Sequence, residues 1–203
     1  MRYLALLVIL LCGICVGCAD YNEDLLLHDE MEKMDWADAY AYTQSQVYED
    51  TCLSAFGYAK ATLEKSSEKG TVIMDLDQTI FDGVGFNSWL ERRGESYSLD
   101  LQVEYMEAHV YDLMPGALEF IGWAKGQGYR LAFVTNRKPI LTKATEWHLR
   151  HYCLSDIPVL YRTGEKDKTS RIMSFPNVVL TIGDKRGDSV EGIPHVYLPN
   201  PIY

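Results

Sequence analysis

The 203-residue sequence predicts an α/β fold, a parallel five-stranded sheet sandwiched by helices. Three observations predict it. Five short apolar runs recur from residue 71 onward, stretches of helical period lie between them, and nearly every run stops at polar residues. Strands that alternate with helices form a parallel sheet covered on both faces, so such strands read as continuous apolar runs. At 47% hydrophobic and 24% charged, the composition is that of a globular domain and excludes disorder, collagen and coiled coil.

The runs are Thr71–Met74, Arg130–Val134, Pro158–Tyr161, Val178–Ile182 and His195–Leu198. Helices are expected over residues 116–127, 139–151 and about 166–174. Ahead of the first run, residues 30–65 hold no Pro, and only Gly57 interrupts them. Apolar residues there recur at helical spacing: Met34, Ala37, Tyr40, Ala41, Tyr48, Cys52, Ala55, Phe56, Ala59 and Leu63. One long helix or two are expected, with Gly70 as the terminator. Residues 80–114 hold Phe81, Phe86, Trp89, Tyr97, Tyr105 and Tyr111, and read as a small helical cap inserted over the sheet's crevice. The whole is Rossmann-like, in which ligands sit beyond the carboxyl ends of the strands.

The N-terminus is a separate object. Arg2 is followed by an apolar and small run, Tyr3–Gly17, which is short for a bilayer span of roughly 20 residues. Residues 1–18 read as an export signal whose end, Val16-Gly17-Cys18, resembles a lipobox with Cys18 as the lipidated residue. Residues 19–29 read as a tether, and residues 30–203 as the domain. The expected location is lipid-anchored at a bacterial membrane (outer membrane or cell surface), with a secreted or periplasmic protein or an uncleaved anchor as alternatives. In the domain only Cys52 and Cys153 remain. They form either one disulfide or two buried thiols, the latter being the common state of a core Cys.

A net charge of −10 repels phosphate backbones, so no nucleic-acid polymer is expected as partner. The chemistry lies at the strand ends. Asp75 and Asp77, two residues apart, place two carboxylates in one cup after the first strand. Asp184 and Asp188 follow the fourth. Several carboxylates around one point suit a hard cation with oxygen ligands, Mg²⁺ above all. Thr135 and Asn136 after the second strand suit phosphate oxygens, and Lys168 adds a point cation. Acids, an ion, a hydroxyl and a Lys together describe phosphoryl transfer through a carboxylate nucleophile.

These motifs resemble those of the haloacid dehalogenase superfamily: DLDQT, VTN, a downstream Lys and GDKRGD, in order. Within it, the chain resembles the class C, lipoprotein-type acid phosphatases through DLDQTIFD, MPGALEF, FVTNR, KTSR, LPNPIY and the WADAYAYTQSQVYEDTCLSAFGYAKATLE helix. The resemblance implies an Mg²⁺-dependent acid phosphatase acting on small phosphomonoesters, nucleotides or other small organic phosphates, through an aspartyl-phosphate. It implies Asp75 as nucleophile and Asp77 as general acid, then base. It implies Mg²⁺ on the Asp75 carboxylate, the Asp77 carbonyl and the Asp184 carboxylate. Phosphate would be held by Thr135, Asn136 and Lys168, the last preferred to Lys166 because Arg171 follows at the family's spacing. Asp188 would bond Lys168 or a water on the ion, Trp89 and Tyr203 would stack on the substrate, and Asp82 would be structural. Gln78 stands where the family usually carries Glu. Lys185 and Arg186 add positive charge at the rim, where neutral or acidic residues are usual. The alternative function is a catalytically weak, surface-anchored binding or storage relative. The oligomeric state is left open.

Overall fold

The computed structural model describes residues 36–164 and 166–202. The expected export signal, tether, Cys18 and Tyr203 lie outside the described residues. In chain order the elements are α1 (Trp36–Thr43), α2 (Gln46–Lys65), β1 (Thr71–Met74), β2 (Phe81–Asp82), α3 (Val84–Arg93), α4 (Leu99–Ala108), β3 (Asp112–Leu113), α5 (Ala117–Gly126), β4 (Arg130–Val134), α6 (Thr142–His151), β5 (Val159–Leu160), α7 (Thr169–Met173), β6 (Val178–Gly183) and β7 (His195–Tyr197). Five of the strands pair in parallel, in the order β5-β4-β1-β6-β7. All four residues of β1 are buried, as a central strand between two helical layers requires.

The N-terminal segment forms two helices. No Pro or Gly parts them; Ser45 does, its Oγ accepting the Tyr48 N–H at 3.2 Å and so satisfying one of the N–H groups a helix start leaves open. The break resets the helical phase. Ala39 is the buried residue of α1, while Ala37, Tyr40 and Ala41, expected to face inward, are exposed. In α2 the expected stripe Tyr48, Cys52, Ala55, Phe56, Ala59 and Leu63 is buried. Phe56 stacks on Phe120 of α5 at 5.3 Å between centroids. Such fully buried large side chains contribute roughly 1.5–3 kcal/mol each. The terminator differs from expectation: α2 ends at Lys65 with Ser66 as cap, and Gly70 instead opens β1. A side chain at Gly70 would collide with the Asn177 carbonyl and Val179, so the residue is needed for close approach.

Two more expectations are corrected. Cys52 and Cys153 are not bonded, and only Cys52 is buried; Cys153 is exposed, in the left-handed conformation just past α6 (φ 57°). The helix expected over 166–174 is shorter because Asp167 accepts from the Thr169 N–H at 3.1 Å and holds the preceding backbone in a turn. Between β1 and α5, the β2–β3 hairpin carries α3 and α4 as a cap with its own aromatic cluster. Phe86 lies 5.2 Å from Tyr105, and Tyr105 stacks on His109 at 4.4 Å. No helix among the described residues is long and apolar enough to cross a membrane.

Candidate active site

The site begins where β1 stops. The Asp75 N–H donates to the Ile182 carbonyl at 3.0 Å, extending the β1–β6 pairing one step. The chain then folds tightly. The Leu76 carbonyl accepts the N–H groups of Ile80 (2.9 Å) and Phe81 (2.8 Å), and Gln78 adopts φ 54°. This turn leaves Asp75 and Asp77 side by side on the wall of one cavity.

Carboxylate oxygens of Asp75, Asp184 and Asp188 lie within 4.8 Å of one another. Asp75 Oδ1 and Asp184 Oδ1 are buried and make no hydrogen bond, although Lys168 Nζ lies 2.8 Å from Asp75 Oδ1 as an ion pair. Burial pushes the Asp75 carboxyl up to about 6; Lys168 opposes the rise, and Asp188 and Asp77 add to it. Burial likewise pushes Asp184 up to about 7, against the pull of Lys185. Asn200 Nδ2 donates to Asp184 Oδ2, and Lys185 Nζ stands 3.6 Å from the same oxygen. Buried carboxylates that converge on one point, with more negative charge than the single Lys168 ammonium offsets, are the donor set of a hard divalent cation.

Lys168 is buried and donates to Asp188 Oδ1 at 2.5 Å. Desolvation works against its charge, but Asp75 and Asp188 outweigh it and hold the ammonium above its ordinary pKa. Asp188 Oδ2 accepts the Lys185 N–H at 3.1 Å, so both oxygens of Asp188 already have donors. Asp188 therefore positions Lys168 more than it offers itself to an ion. Gly183 makes room for this arrangement: a Cβ there would overlap the Asp188 carboxylate. Gly183→Ala is expected to displace Asp188 from Lys168. Overpacking of this kind costs about 1–3 kcal/mol. Thermal unfolding and the rate of phosphate-ester hydrolysis both report it, and an unchanged rate would refute the assigned role of the Asp188–Lys168 contact.

Arg137 is the residue to which the sequence assigned no role. It is 3% exposed, yet its guanidinium grips Asp77 twice, with Nη2 at 2.7 Å from Oδ1 and Nε at 3.1 Å from Oδ2. Nη1 donates to Thr145 at 3.0 Å, and the plane lies over Phe81 and Tyr111 at 5.1 and 5.5 Å. Desolvation is the largest influence on Asp77 and raises its pKa. The charge and hydrogen bonds of Arg137, with Lys168 and Lys185 behind them, overcome it, so the carboxyl lies below its usual range.

Of the residues expected to hold phosphate, Lys168 and Asn136 line the cavity. Thr135 is fully buried beneath it, where its Oγ1 accepts the Arg137 N–H at 3.1 Å. Arg171 holds this loop, donating to the Thr135 carbonyl at 2.5 Å and to Asn136 Oδ1 at 2.7 Å. The cavity has a volume of about 840 Å³, and its opposite wall comes from the cap through Phe86, Tyr97, Leu99 and Tyr111. Trp89 is absent from that wall: its ring packs against Phe86 and Tyr105 and is covered by the Arg93 guanidinium at 4.2 Å. Asp82 caps α3, accepting the Val84 N–H at 2.8 Å.

A family model described as HAD superfamily, subfamily IIIB (Acid phosphatase), matches residues 28–203. The chain belongs to this acid phosphatase family. Two solved structures share its fold. The class C acid phosphatase from Bacillus anthracis superimposes with a TM-score of 0.69 at 16% identity, covering 91% of this chain and 86% of that one. The same enzyme with tungstate bound gives 0.71 at 18% identity, covering 87% and 86%.

The chain is thus a phosphatase by family, with the fold of these two structures. Three of its positioning groups escaped the sequence reading. Arg137 and Asn200 stood inside quoted motifs without a role, and Arg171 served only as a spacing marker. A cation immediately after the Thr135-Asn136 strand end was the available signal for Arg137. The contact of Asn200 with Asp184 spans 16 residues and had none.

Proposed function

We propose that this acid phosphatase hydrolyses small phosphomonoesters in two steps through an aspartyl-phosphate on Asp75, with Mg²⁺ as its ion. The observation that supports this most directly is the buried carboxylate pair Asp75 and Asp184, whose oxygens lie within 4.8 Å of each other, the Asp184 Oδ1 without a donor and the Asp75 Oδ1 paired with Lys168. The Asp75 and Asp184 carboxylates and the Asp77 carbonyl would hold Mg²⁺. Bound there, Mg²⁺ would supply Lewis-acid charge that lets an anionic carboxylate approach an anionic phosphate.

In the first step an Asp75 oxygen attacks phosphorus, the P–O bond to the leaving alcohol breaks, and Asp77 delivers a proton to that oxygen. In the second, Asp77 takes a proton from a water that attacks the phosphoryl group, releasing phosphate and restoring Asp75. Arg137 keeps Asp77 ionised in the free protein. The proton for the first step therefore arrives with the substrate, whose second phosphate pKa is about 6. That arrangement favours activity on the acid side of neutrality. Lys168 balances charge on the phosphate and on Asp75. Phe86, Tyr97 and Tyr111 face the leaving group, in the place first assigned to Trp89.

Turnover of p-nitrophenyl phosphate that needs Mg²⁺, stops with a chelator and returns on adding the ion back tests the proposal. No turnover on a broad panel of phosphate esters with Mg²⁺ would sink it. The pH dependence of ion binding is a second expectation. Both raised carboxyls favour the metal-free fold below their unfolded pKa and lose that contribution as pH rises through about 6 and about 7. Buried His195, pushed down to about 4, acts the opposite way, losing its contribution as pH falls from the ordinary His range. Bound Mg²⁺ needs the carboxylates ionised, so the Mg²⁺-induced rise in Tm should grow from about pH 5 to about pH 7.5. A pH-independent increment, read by differential scanning fluorimetry, would contradict it.

We further propose that the chain is exported and held at a membrane through lipidated Cys18, on the strength of the lipobox-like sequence. The intact mass of the membrane-extracted protein tests this, and an unmodified N-terminus refutes it.

A further inference from the structure

Six basic side chains line the cavity, and two are engaged in its centre: Arg137 with Asp77, and Lys168 with Asp75 and Asp188. Lys185 stands beside Asp184. The remaining three, Lys138, Arg162 and Lys166, lie on the loops after β4 and β5, neighbouring strands on one side of β1. These loops are tied together. The Arg162 N–H donates to the Arg137 carbonyl at 3.1 Å, and Arg171 bridges Thr135 and Asn136 of one loop to the Asp167 carbonyl of the other. Arg162 is steadied by its Nε bond to the Gly164 carbonyl at 2.9 Å. The three cations therefore belong to one pair of tied loops, beside Arg137, in a cavity that the cap aromatics also line.

Among the described residues, no ion pair forms on Lys138, Arg162 or Lys166. Among the described residues the acid of these loops is Asp167, whose Oδ1 is held by the Thr169 N–H and hydroxyl at 3.1 and 2.8 Å. The chain carries 29 Asp and Glu against 19 Lys and Arg, so three cations beside one tied carboxylate, among the described residues, run against its composition. The reacting phosphate does not account for them, because Lys168 and the ion site already meet its charge. They line the same cavity as Asp77, the residue that protonates the leaving group in the proposed reaction.

We propose that this pair of loops is a second anion subsite, and that the preferred substrates are phosphomonoesters whose leaving group carries a further phosphate: bisphosphorylated small molecules. This rests on the phosphomonoesterase reading and specifies its substrate class. A second phosphate of the leaving group meets Lys138, Arg162 and Lys166, while its carbon skeleton lies along Phe86 and Tyr97.

The test compares fructose 6-phosphate with fructose 1,6-bisphosphate, and adenosine 5′-monophosphate with adenosine 3′,5′-bisphosphate, on the Mg²⁺-loaded enzyme. For each bisphosphate, KM is expected about tenfold or more below that of its monophosphate with kcat little changed, and salt at about 0.5 M should shrink the gap. In Lys138→Gln/Lys166→Gln, and further with Arg162→Gln, the gap should close while kcat/KM for the monophosphates stays within about twofold. Equal KM values in the unaltered enzyme, or a gap that survives the triple substitution, overturn the subsite. Calorimetric binding of the same four compounds to Asp75→Asn protein separates the two readings. If the unaltered, Mg²⁺-loaded enzyme hydrolyses none of the four but the bisphosphates bind the variant about tenfold tighter, the subsite stands and the hydrolytic reading falls. Equal affinities overturn the subsite whatever the activity.

Discussion

Asp75→Asn is expected to abolish phosphate-ester hydrolysis, by about four orders of magnitude or more, while the protein still folds. The loss follows from the chemistry: an amide cannot form the acyl-phosphate bond, and no other carboxylate occupies the same place. Asp77 is held by Arg137, and both oxygens of Asp188 already accept hydrogen bonds. The fold survives because Lys168 keeps its contact with Asp188. The metal-free variant should be at least as heat-stable as the unaltered protein near neutral pH. There the buried Asp75, with its pKa raised to about 6, is ionised at a cost that Asn does not carry. Steady-state assays with p-nitrophenyl phosphate and Mg²⁺, beside thermal unfolding in a chelator, read both effects. Residual activity above about a hundredth would remove Asp75 from the nucleophile's role, since losses of a catalytic nucleophile are far larger.

Arg137→Met is expected to lower turnover of an alkyl phosphate by about two to three orders of magnitude and of p-nitrophenyl phosphate by much less. General acid catalysis contributes about 10²- to 10⁴-fold, and p-nitrophenolate leaves without a proton. Arg137 fixes the Asp77 carboxylate from two nitrogens while Thr145, Phe81 and Tyr111 fix Arg137. Without it, Asp77, whose side chain is 41% exposed, swings freely in the cavity. Arg137→Lys should recover little, because an ammonium cannot hold a carboxylate at both oxygens in one plane. A general loosening of the site would slow both substrates alike. An equal loss on both therefore refutes the positioning role, and the ratio of kcat for the two leaving groups is the deciding measurement.

What could be read from the sequence follows from where the information is local. The strands of the parallel sheet announce themselves as apolar runs of four or five residues because both faces are covered. Asp75, Asp77 and Asp184 sit at or near their ends, so finding the strands nearly finds them. The cap resisted. Trp89 and Phe86 are both aromatic residues of α3, and Phe86 lines the cavity while Trp89 packs under Arg93 and against Tyr105, contacts that form only in the folded cap. Arg137 is consumed by Asp77, a partner 60 residues away, and a sequence carries no mark of such a pairing. The phase of α1 was lost for a smaller reason, a Ser at position 45 that ends one helix and starts the next.

The parallel pairing of β1 with β6 has a consequence for how this molecule comes into being. Asp75 and Asp184 stand 109 residues apart in the chain and meet only when the strand before each has docked on the other. Loop closure over such a span comes late and slowly. A chain emerging from synthesis therefore holds no half-built catalyst. Catalytic competence arrives in one step, near the end of folding, and its regain after denaturation is a sensitive clock for complete assembly of the sheet.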